Sequence, residues 1–293
     1  MEDLTSLFCK VDDFWNEFEA KWKQGLIEYN KPKRGPKPEM SISEMMTIVI
    51  RFHQSNYRTF KHFYSHMVTH FKSYFPNMIS YSRFVGSMKN LFVPIFAYLL
   101  NRAGRMTGIS FIDATSIAVC HNKRIKRNRV FRGFAKRGKT TAGWFYGFKL
   151  HLIINEHGEI IAFMLTPGNI ADVTVVDLLT QHLIGKLFGD KGYVSKALSE
   201  QLLKRGLHLF TTVRANMKQK LMSLKDKLLL RSRSIIETVN DQLKNISQIE
   251  HTRHRSMSNF LVNLLAGLAA YTHQAKKPSI KIDDHDRGLI LTA

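Results

Sequence analysis

Three acidic residues, far apart in the sequence, are the side chains best suited to chemistry. Asp113 lies within the apolar segment ISFIDATS, Asp190 follows the apolar segment KLFG, and Glu237 lies in a later helical pattern. A carboxylate on a buried strand is costly unless its charge is compensated, which a metal ion does well. If the three acids converge, two divalent ions roughly 4 Å apart can activate an attacking oxygen and stabilise a leaving oxygen at phosphorus. Hard oxygen ligands favour Mg²⁺ or Mn²⁺.

Each acid taken alone also has a purely structural explanation. Asp113 could face solvent from an edge strand or cap a turn through Thr115, and Asp190 could be a turn residue ahead of Gly192. Glu237 could belong to a solvated, salt-bridged helix face. Only the combination of the three acids indicates a catalytic site.

The surroundings of Glu237 and a fourth acid add further candidates. Arg233, Asn240 and Lys244 share one side of the predicted helix with Glu237, since they lie four residues before it and three and seven after it. The guanidinium and the ammonium could neutralise charge at a cleaved phosphate, although an exposed helical lysine needs no such role. For Asp172, in the segment GNIAD, an N-cap role at the following helix is favoured over a catalytic one.

A basic segment follows the strand that carries Asp113. Between Asp113 and Glu156 the sequence has no acidic residue, which predicts binding to phosphates. The predicted DNA-binding residues of this segment are Lys123, Arg124, Lys126, Arg127, Arg129, Arg132, Lys136, Arg137 and Lys139. Those of the proline-rich linker NKPKRGPKP are Lys33, Arg34 and Lys37.

Four aromatic residues interleave with this charge. Phe131, Phe134, Trp144 and Tyr146 could stack on a flipped or unpaired base. Packing in the core is the favoured prediction for them.

The composition restricts the class of protein. The formal net charge of +21 indicates a polyanionic partner, DNA or RNA, although ribosomal proteins and RNA chaperones are equally basic. The basic residues do not follow one amphipathic helix, which argues against an anionic membrane. The N-terminal segment lacks a signal-like pattern and no long apolar run is present, so we expect a cytoplasmic, nucleoid-associated protein. Two cysteines, Cys9 and Cys120, lack the spacing of a zinc site and are interpreted as incidental thiols.

Hydrophobic periodicity predicts helices first and a sheet afterwards. Helices are predicted for residues 3–29, from Ser41 onward, for 57–74 and for 82–103, with Ser41 and Glu44 at capping-box spacing. From Gly108 the pattern predicts strands, a hairpin turning at His157 and Gly158, and then alternating helices and strands. The predicted fold class is therefore α/β, with a mixed sheet surrounded by helices and preceded by an all-α region. The predicted domains are 1–104 (helical, DNA-binding), 105–275 (catalytic) and 276–293 (tail).

The motifs FIDAT, PGNIAD, FGDKGY and R-x-x-x-E-x-x-x-x-x-x-K, in this order, resemble the DDE transposases of bacterial insertion sequences, particularly the IS982 family. The resemblance extends to about residue 275 and implies an RNase H-like catalytic core with Asp113, Asp190 and Glu237 as the metal-binding catalytic acids. Arg233 and Lys244 match the basic partners in the wider IS4-like signature, whereas Leu230 replaces the tyrosine that often precedes the arginine.

The function implied by this resemblance is DNA transposition. It predicts two Mg²⁺ or Mn²⁺ ions in each active site, terminal inverted repeats and target DNA as double-stranded substrates, and a homodimer or higher oligomer on DNA. No Walker-type glycine loop is present, so no nucleotide cofactor is expected. Two alternatives remain open: an RNase H-like nuclease without strand transfer, and a non-catalytic basic DNA-binding protein.

Overall fold

The structure is a computed structural model that describes residues 3–28, 38–141, 143–212, 222–250 and 254–282. Its helices are α1 (Leu4–Glu28), α2 (Ile42–Gln54), α3 (Phe60–His70), α4 (Tyr81–Ser87), α5 (Phe92–Asn101), α6 (Val176–Leu179), α7 (Lys196–Lys204), α8 (Leu224–Arg231), α9 (Ser234–Asn245) and α10 (Met257–Thr272). Its strands are β1 (Ile109–Cys120), β2 (Lys136–Thr140), β3 (Gly143–Asn155), β4 (Ile160–Pro167), β5 (Gly185–Gly189) and β6 (Leu207–Thr211).

The chain divides into two compact units. The helical unit comprises Met1–Arg102 with Leu243–Ala275, and the sheet unit comprises Ala103–Gln242 with Lys276–Ala293. The predicted domains were contiguous in sequence, whereas here the segment after α9 packs with the N-terminal helices. The reason is α10, which is buried along most of its length and packs against α2 and α5.

Local sequence signals account for the helices of the helical unit. The capping box at α2 is present, because Ser41 Oγ accepts from the backbone N–H of Glu44 while the Glu44 carboxylate accepts from that of Ser41. The helix predicted for 82–103 is instead broken into α4, a 3₁₀ turn at Met88–Leu91 and α5. Pro94 explains the break, since a proline excludes a regular α-helical turn through the four residues before it.

The sheet unit contains one mixed sheet. Its strand order is β2-β3-β1-β5-β6, with β4 also paired to β3. Strand β3 pairs antiparallel with β1, β2 and β4. Strand β5 pairs parallel with β1 and β6. This topology is that of an RNase H-like core, so the predicted fold class is confirmed.

Helices and apolar side chains cover this sheet. One buried cluster joins Ile112 and Ile153 of the central strands to Val176 of α6 and Leu202 of α7. Two helical predictions need correction. Where a helix is predicted near residues 171–182, after Asp172, the structure has only a 3₁₀ turn and the short α6. The helix predicted around Glu237 is interrupted between α8 and α9.

Residues after Pro278 were expected to form a loose tail. The described part of this segment is bound to the sheet unit, because the backbone N–H of Ile280 donates to the carbonyl of Glu156 at 2.8 Å.

Candidate active site

Asp113 lies where the central strand of the sheet loses one of its neighbours. The parallel pairing of β1 with β5 ends at Phe111, while the antiparallel pairing with β3 continues and places Leu152 opposite Asp113. Strand β1 is therefore central at its start and open on one side from Asp113 onward. The edge-strand alternative is right that β5 no longer pairs with β1 at Asp113, but the side chain is partly buried and does not simply face solvent.

Burial changes the acidity of Asp113. It raises the pKa of the carboxyl from 3.8 to about 6, against the lowering effect of a hydrogen bond from the backbone N–H of Ala114. The negative charges of Asp190 and Glu237 raise this pKa further, and the positive charge of Arg233 lowers it. The carboxyl of Asp113 thus responds to both of the other predicted acids.

Asp190 directly follows β5 and begins a short 3₁₀ turn, Lys191–Tyr193. Its Oδ1 accepts from the backbone N–H of Gly192 at 2.8 Å, so the turn role considered for this residue is real. The local sequence FGDKGY allows this geometry. A Cβ at Gly189 would lie 2.9 Å from the Tyr193 ring, and one at Gly192 would lie 2.9 Å from Oδ1 of Asp190. Both glycines therefore permit the close packing that holds Asp190 at the end of the strand.

Glu237 lies in the first turn of α9, and its side chain is 55% exposed. Its Oε1 is 3.0 Å from Nη2 of Arg233, one turn earlier. One turn further along the helix, the buried Asn240 donates from Nδ2 to Oδ2 of Asp113 at 2.9 Å. Helix α9 is therefore connected to β1 by a hydrogen bond that ends on the first acid.

The three acids interact electrostatically without forming a closed ligand shell. No group of three His, Cys, Asp or Glu side chains within the described ranges could hold a metal ion as it stands. The donor chemistry nevertheless fits Mg²⁺, which commonly keeps several waters and is bound by one or two carboxylates together with substrate phosphates. Desolvation and the negative charges of Asp190 and Glu237 raise the pKa of Asp113, so a cation bound beside this carboxyl would stabilise its charged form.

The structure places the remaining predicted residues as follows. Lys244, in the last turn of α9, lies with its Nζ 3.4 Å from Oε2 of Glu250, so its catalytic role stays a prediction. All nine predicted DNA-binding residues of the basic segment have exposed side chains. Lys33, Arg34 and Lys37 lie outside the described residues.

Asp172 does not cap a helix, contrary to the favoured prediction. The cap position belongs to Ala171, and Oδ1 of Asp172 instead accepts from Nζ of Lys149 on β3 at 2.9 Å. The fully buried His151, two residues along β3, has Nδ1 at 3.9 Å from the same oxygen, and burial lowers its pKa to about 4. The polar residues Lys149 and His151 in an otherwise apolar strand were the available signal for this cluster.

Tyr193 is a residue that the sequence analysis overlooked. It is 1% exposed, and its hydroxyl has no hydrogen-bond partner among the described atoms. Burial raises its pKa, and so do the charges of Asp113, Asp172 and Asp190. The hydroxyl is therefore buried among the acids of the site. The only signal was its place in FGDKGY, three residues after Asp190.

The aromatic residues of the basic segment divide into two pairs. Phe131 and Tyr146 are buried, as the favoured prediction of core packing states. Phe134 and Trp144 are 54% and 61% exposed, so core packing is wrong for these two.

More than half of the chain, including the sheet, matches a known protein family. Residues 103–257, which are 155 of the 293 residues, match the transposase DDE domain family. The chain therefore belongs to this family of catalytic transposases, and it binds DNA and acts in DNA transposition. Transposases with this domain generally use divalent metal ions.

The other comparisons add little. No curated protein matches the chain significantly in sequence. The chain is similar to a chain of the crystal structure of the Mos1 strand transfer complex, with 9% identity and a TM-score of 0.23 over 83% of this chain and 88% of that chain. At this TM-score the likeness supports no argument. None of the described helices has the length and apolar character needed to cross a membrane.

Proposed function

We propose that this protein is an insertion-sequence transposase of the IS982 type that cleaves the ends of its element and joins the freed 3′ hydroxyl to target DNA. The single observation that carries the proposal is the electrostatic convergence of Asp190 and Glu237 on the partly buried Asp113, within a DDE transposase domain. Asp113, Asp190 and Glu237 are the proposed metal ligands and catalytic acids. Two Mg²⁺ or Mn²⁺ ions, when bound, would supply an activated oxygen nucleophile and stabilise the leaving oxygen.

The residues of the chain supply the positioning and the charge. Asp113 is held at the open side of β1 by Asn240, which orients its Oδ2. Arg233 interacts with both Asp113 and Glu237, so its guanidinium lies where it can bind a phosphate oxygen during the displacement. Lys244 is the second proposed phosphate contact.

The basic segment is proposed to deliver the DNA backbone. It leaves the sheet from the end of β1, so a duplex bound along Lys123–Lys139 is directed toward the strand that carries Asp113. Phosphate contacts of this kind fix the register of the DNA without reading its sequence. Recognition of the terminal inverted repeats is assigned to the N-terminal helices and the linker residues Lys33, Arg34 and Lys37. Pairing two element ends requires at least a dimer on DNA.

The test is cleavage and joining of element-end DNA by purified protein in Mg²⁺. The substitutions Asp113→Asn, Asp190→Asn and Glu237→Gln should each lower the cleavage rate by at least about 100-fold, since each removes a proposed ligand from the charge-stabilising centre. DNA affinity should stay constant or rise, because each substitution removes a negative charge.

The matched control is Glu200→Gln. Glu200 is an exposed helical glutamate 3.9 Å from Lys196 one turn earlier, an arrangement like that of Glu237 with Arg233 but on α7. Its substitution should leave cleavage unchanged. Equal loss in both glutamate variants would contradict the assigned roles.

The products distinguish the alternatives. Joined DNA molecules support strand transfer, whereas cut but unjoined products support an RNase H-like nuclease. If the unmodified protein binds DNA and shows no metal-dependent cleavage of its own element ends, the non-catalytic DNA-binding alternative holds.

A further inference from the structure

The hairpin of β2 and β3 carries an exposed indole beside positive charge. In the antiparallel register of the two strands, Lys139 pairs with Trp144 and Arg137 pairs with Tyr146. Directly opposed residues, and residues two apart on one strand, point to the same face of a sheet. Both cations therefore share a face of the hairpin with Trp144.

Trp144 is accessible on this face. Its side chain is 61% exposed, while most large aromatic residues of β3 are buried. The Nζ of Lys139 lies 5.7 Å from the centroid of its ring, which is within the range of a cation–π interaction. One ammonium group covers only a small part of an indole, so a broad aromatic surface stays open to solvent.

The backbone of Trp144 is held against the basic segment. Nδ2 of Asn122 donates to the carbonyl of Trp144 at 2.6 Å. Asn122 begins the 3₁₀ turn Asn122–Arg127, which carries four of the exposed cations. This hydrogen bond holds the backbone of Trp144 against a segment of the chain that has no acidic residue between Asp113 and Glu156.

We infer that Trp144 is a stacking platform for an unpaired nucleobase of the DNA substrate. Proteins bind single-stranded nucleic acid with cations that contact the phosphates and a neighbouring aromatic ring that stacks on the base. Stacking tolerates any base, because every base has a π face. Charge complementarity favours DNA over a protein partner, since the face of the hairpin offers cations around the ring. The inference rests on the proposed function, as it assigns a role to this hairpin during handling of the DNA ends.

The experiment compares two strands of equal length and charge in metal-free buffer, where no cleavage occurs. One is single-stranded oligothymidylate, and the other is a strand of abasic sites that has the same phosphates and no bases. The unmodified protein should bind the oligothymidylate more tightly. Trp144→Ala should weaken that binding about 5- to 150-fold and leave binding of the abasic strand within about twofold.

Two further variants serve as controls. Phe134→Ala removes a comparably exposed aromatic residue that precedes β2 and does not pair with Trp144, so it should keep the preference for bases. Trp144→Phe keeps an aromatic ring and should retain most of the preference for bases. A misfolded hairpin would lose that preference, so this variant separates stacking from misfolding.

The inference would be overturned if Trp144→Ala weakened binding of both strands equally, or if Phe134→Ala reduced the preference for bases as much as Trp144→Ala does. It would also be overturned if Trp144→Ala changed self-association and left the strand preference unchanged, because Trp144 would then be a contact between copies of the chain. Failure of the proposed function is detected separately. In that case metal-dependent cleavage is absent while the preference for bases and its loss in Trp144→Ala persist.

Discussion

At the scale of single residues, the environment of Asp113 distinguishes the candidate site from an ordinary surface group. Desolvation and the negative charges of two other acids disfavour the ionised form of this partly buried carboxyl and raise its pKa from 3.8 to about 6. Asp113 thus destabilises the folded protein at neutral pH, unless a cation compensates it. Function would then be the reason for keeping an acid at this position.

The destabilisation caused by Asp113 depends on pH. Between about pH 4 and pH 6 the folded state keeps a proton on Asp113 that the unfolded state has lost, so stability falls as the pH rises through this window. We predict that Asp113→Asn raises the free energy of unfolding in metal-free buffer by of the order of 2 kcal/mol at pH 7.5. Near pH 4 the two proteins should be similar. Urea denaturation at the two pH values measures the difference.

Glu200→Gln is the control for this prediction, because its carboxylate is on an exposed helix face. It should leave stability nearly unchanged at both pH values. A destabilised Asp113→Asn variant at pH 7.5 would show that the carboxylate of Asp113 is already compensated within the folded chain.

At the scale of elements, α9 and the end of β5 position the site. The buried positions Ile236, Val239 and Leu243 hold α9 in place, and Asn240, also buried, reaches Asp113 on β1. The sequence analysis placed Asn240 on the polar side of the helix with Glu237. Spacing alone could assign it to that side, but it could not show that this side contacts a strand more than a hundred residues earlier in the chain.

We predict that Asn240→Ala makes catalysis more sensitive to acid. The hydrogen bond from Asn240 stabilises the charged form of Asp113, so its loss should raise the pKa of that carboxyl and move the acidic limb of the cleavage pH profile to higher pH. At pH 7 we expect cleavage to fall by roughly tenfold, the loss associated with about 1.4 kcal/mol of positioning. The measurement is the rate of single-turnover cleavage between pH 5.5 and 9.

Thr238→Ala is the control on the same helix, because the hydroxyl of Thr238 donates to the carbonyl of Ser234 one turn earlier in that helix. It should keep both the rate and the pH profile. An Asn240→Ala variant with a lower rate but an unshifted profile would mean that Asn240 supports the packing of α9 and does not tune Asp113.

Elements with strong local signals were predictable from the sequence. The capping box of α2, the hairpin of β3 and β4 and the strand before Asp190 all depend on residues that are close in sequence. What the sequence could not supply depends on distant partners. The local sequence favours a helix cap for Asp172, but its observed partner, Lys149, lies on another strand and could not be recognised from the local sequence. The alternation of apolar residues along β3 shows that Trp144 shares a face with other large residues, which favours the core. It does not show whether any other part of the protein covers that end of the face.

At the scale of the whole molecule, an acidic centre lies within a strongly basic chain. A formal net charge of +21 draws DNA to the protein, while the acids converge around Asp113 in the sheet unit. The sheet places β1 and β5 side by side, so that Asp113, just past the paired part of β1, and Asp190, just after β5, lie at the same end of that pairing. Asp113 and Asp190, which are 77 positions apart in sequence, therefore interact electrostatically, and the charge of Asp190 raises the pKa of Asp113.

The measurement that tests this account most directly is the location of bound Mn²⁺ by anomalous X-ray diffraction from crystals of the protein. Mn²⁺ bound within coordination distance of the carboxylates of Asp113 and Asp190, with loss of this signal in Asp113→Asn, is the result that we predict. Mn²⁺ bound elsewhere, or no Mn²⁺ near Asp113 at millimolar concentration in the presence of bound DNA, would contradict the central claim that these acids form a metal-dependent active site.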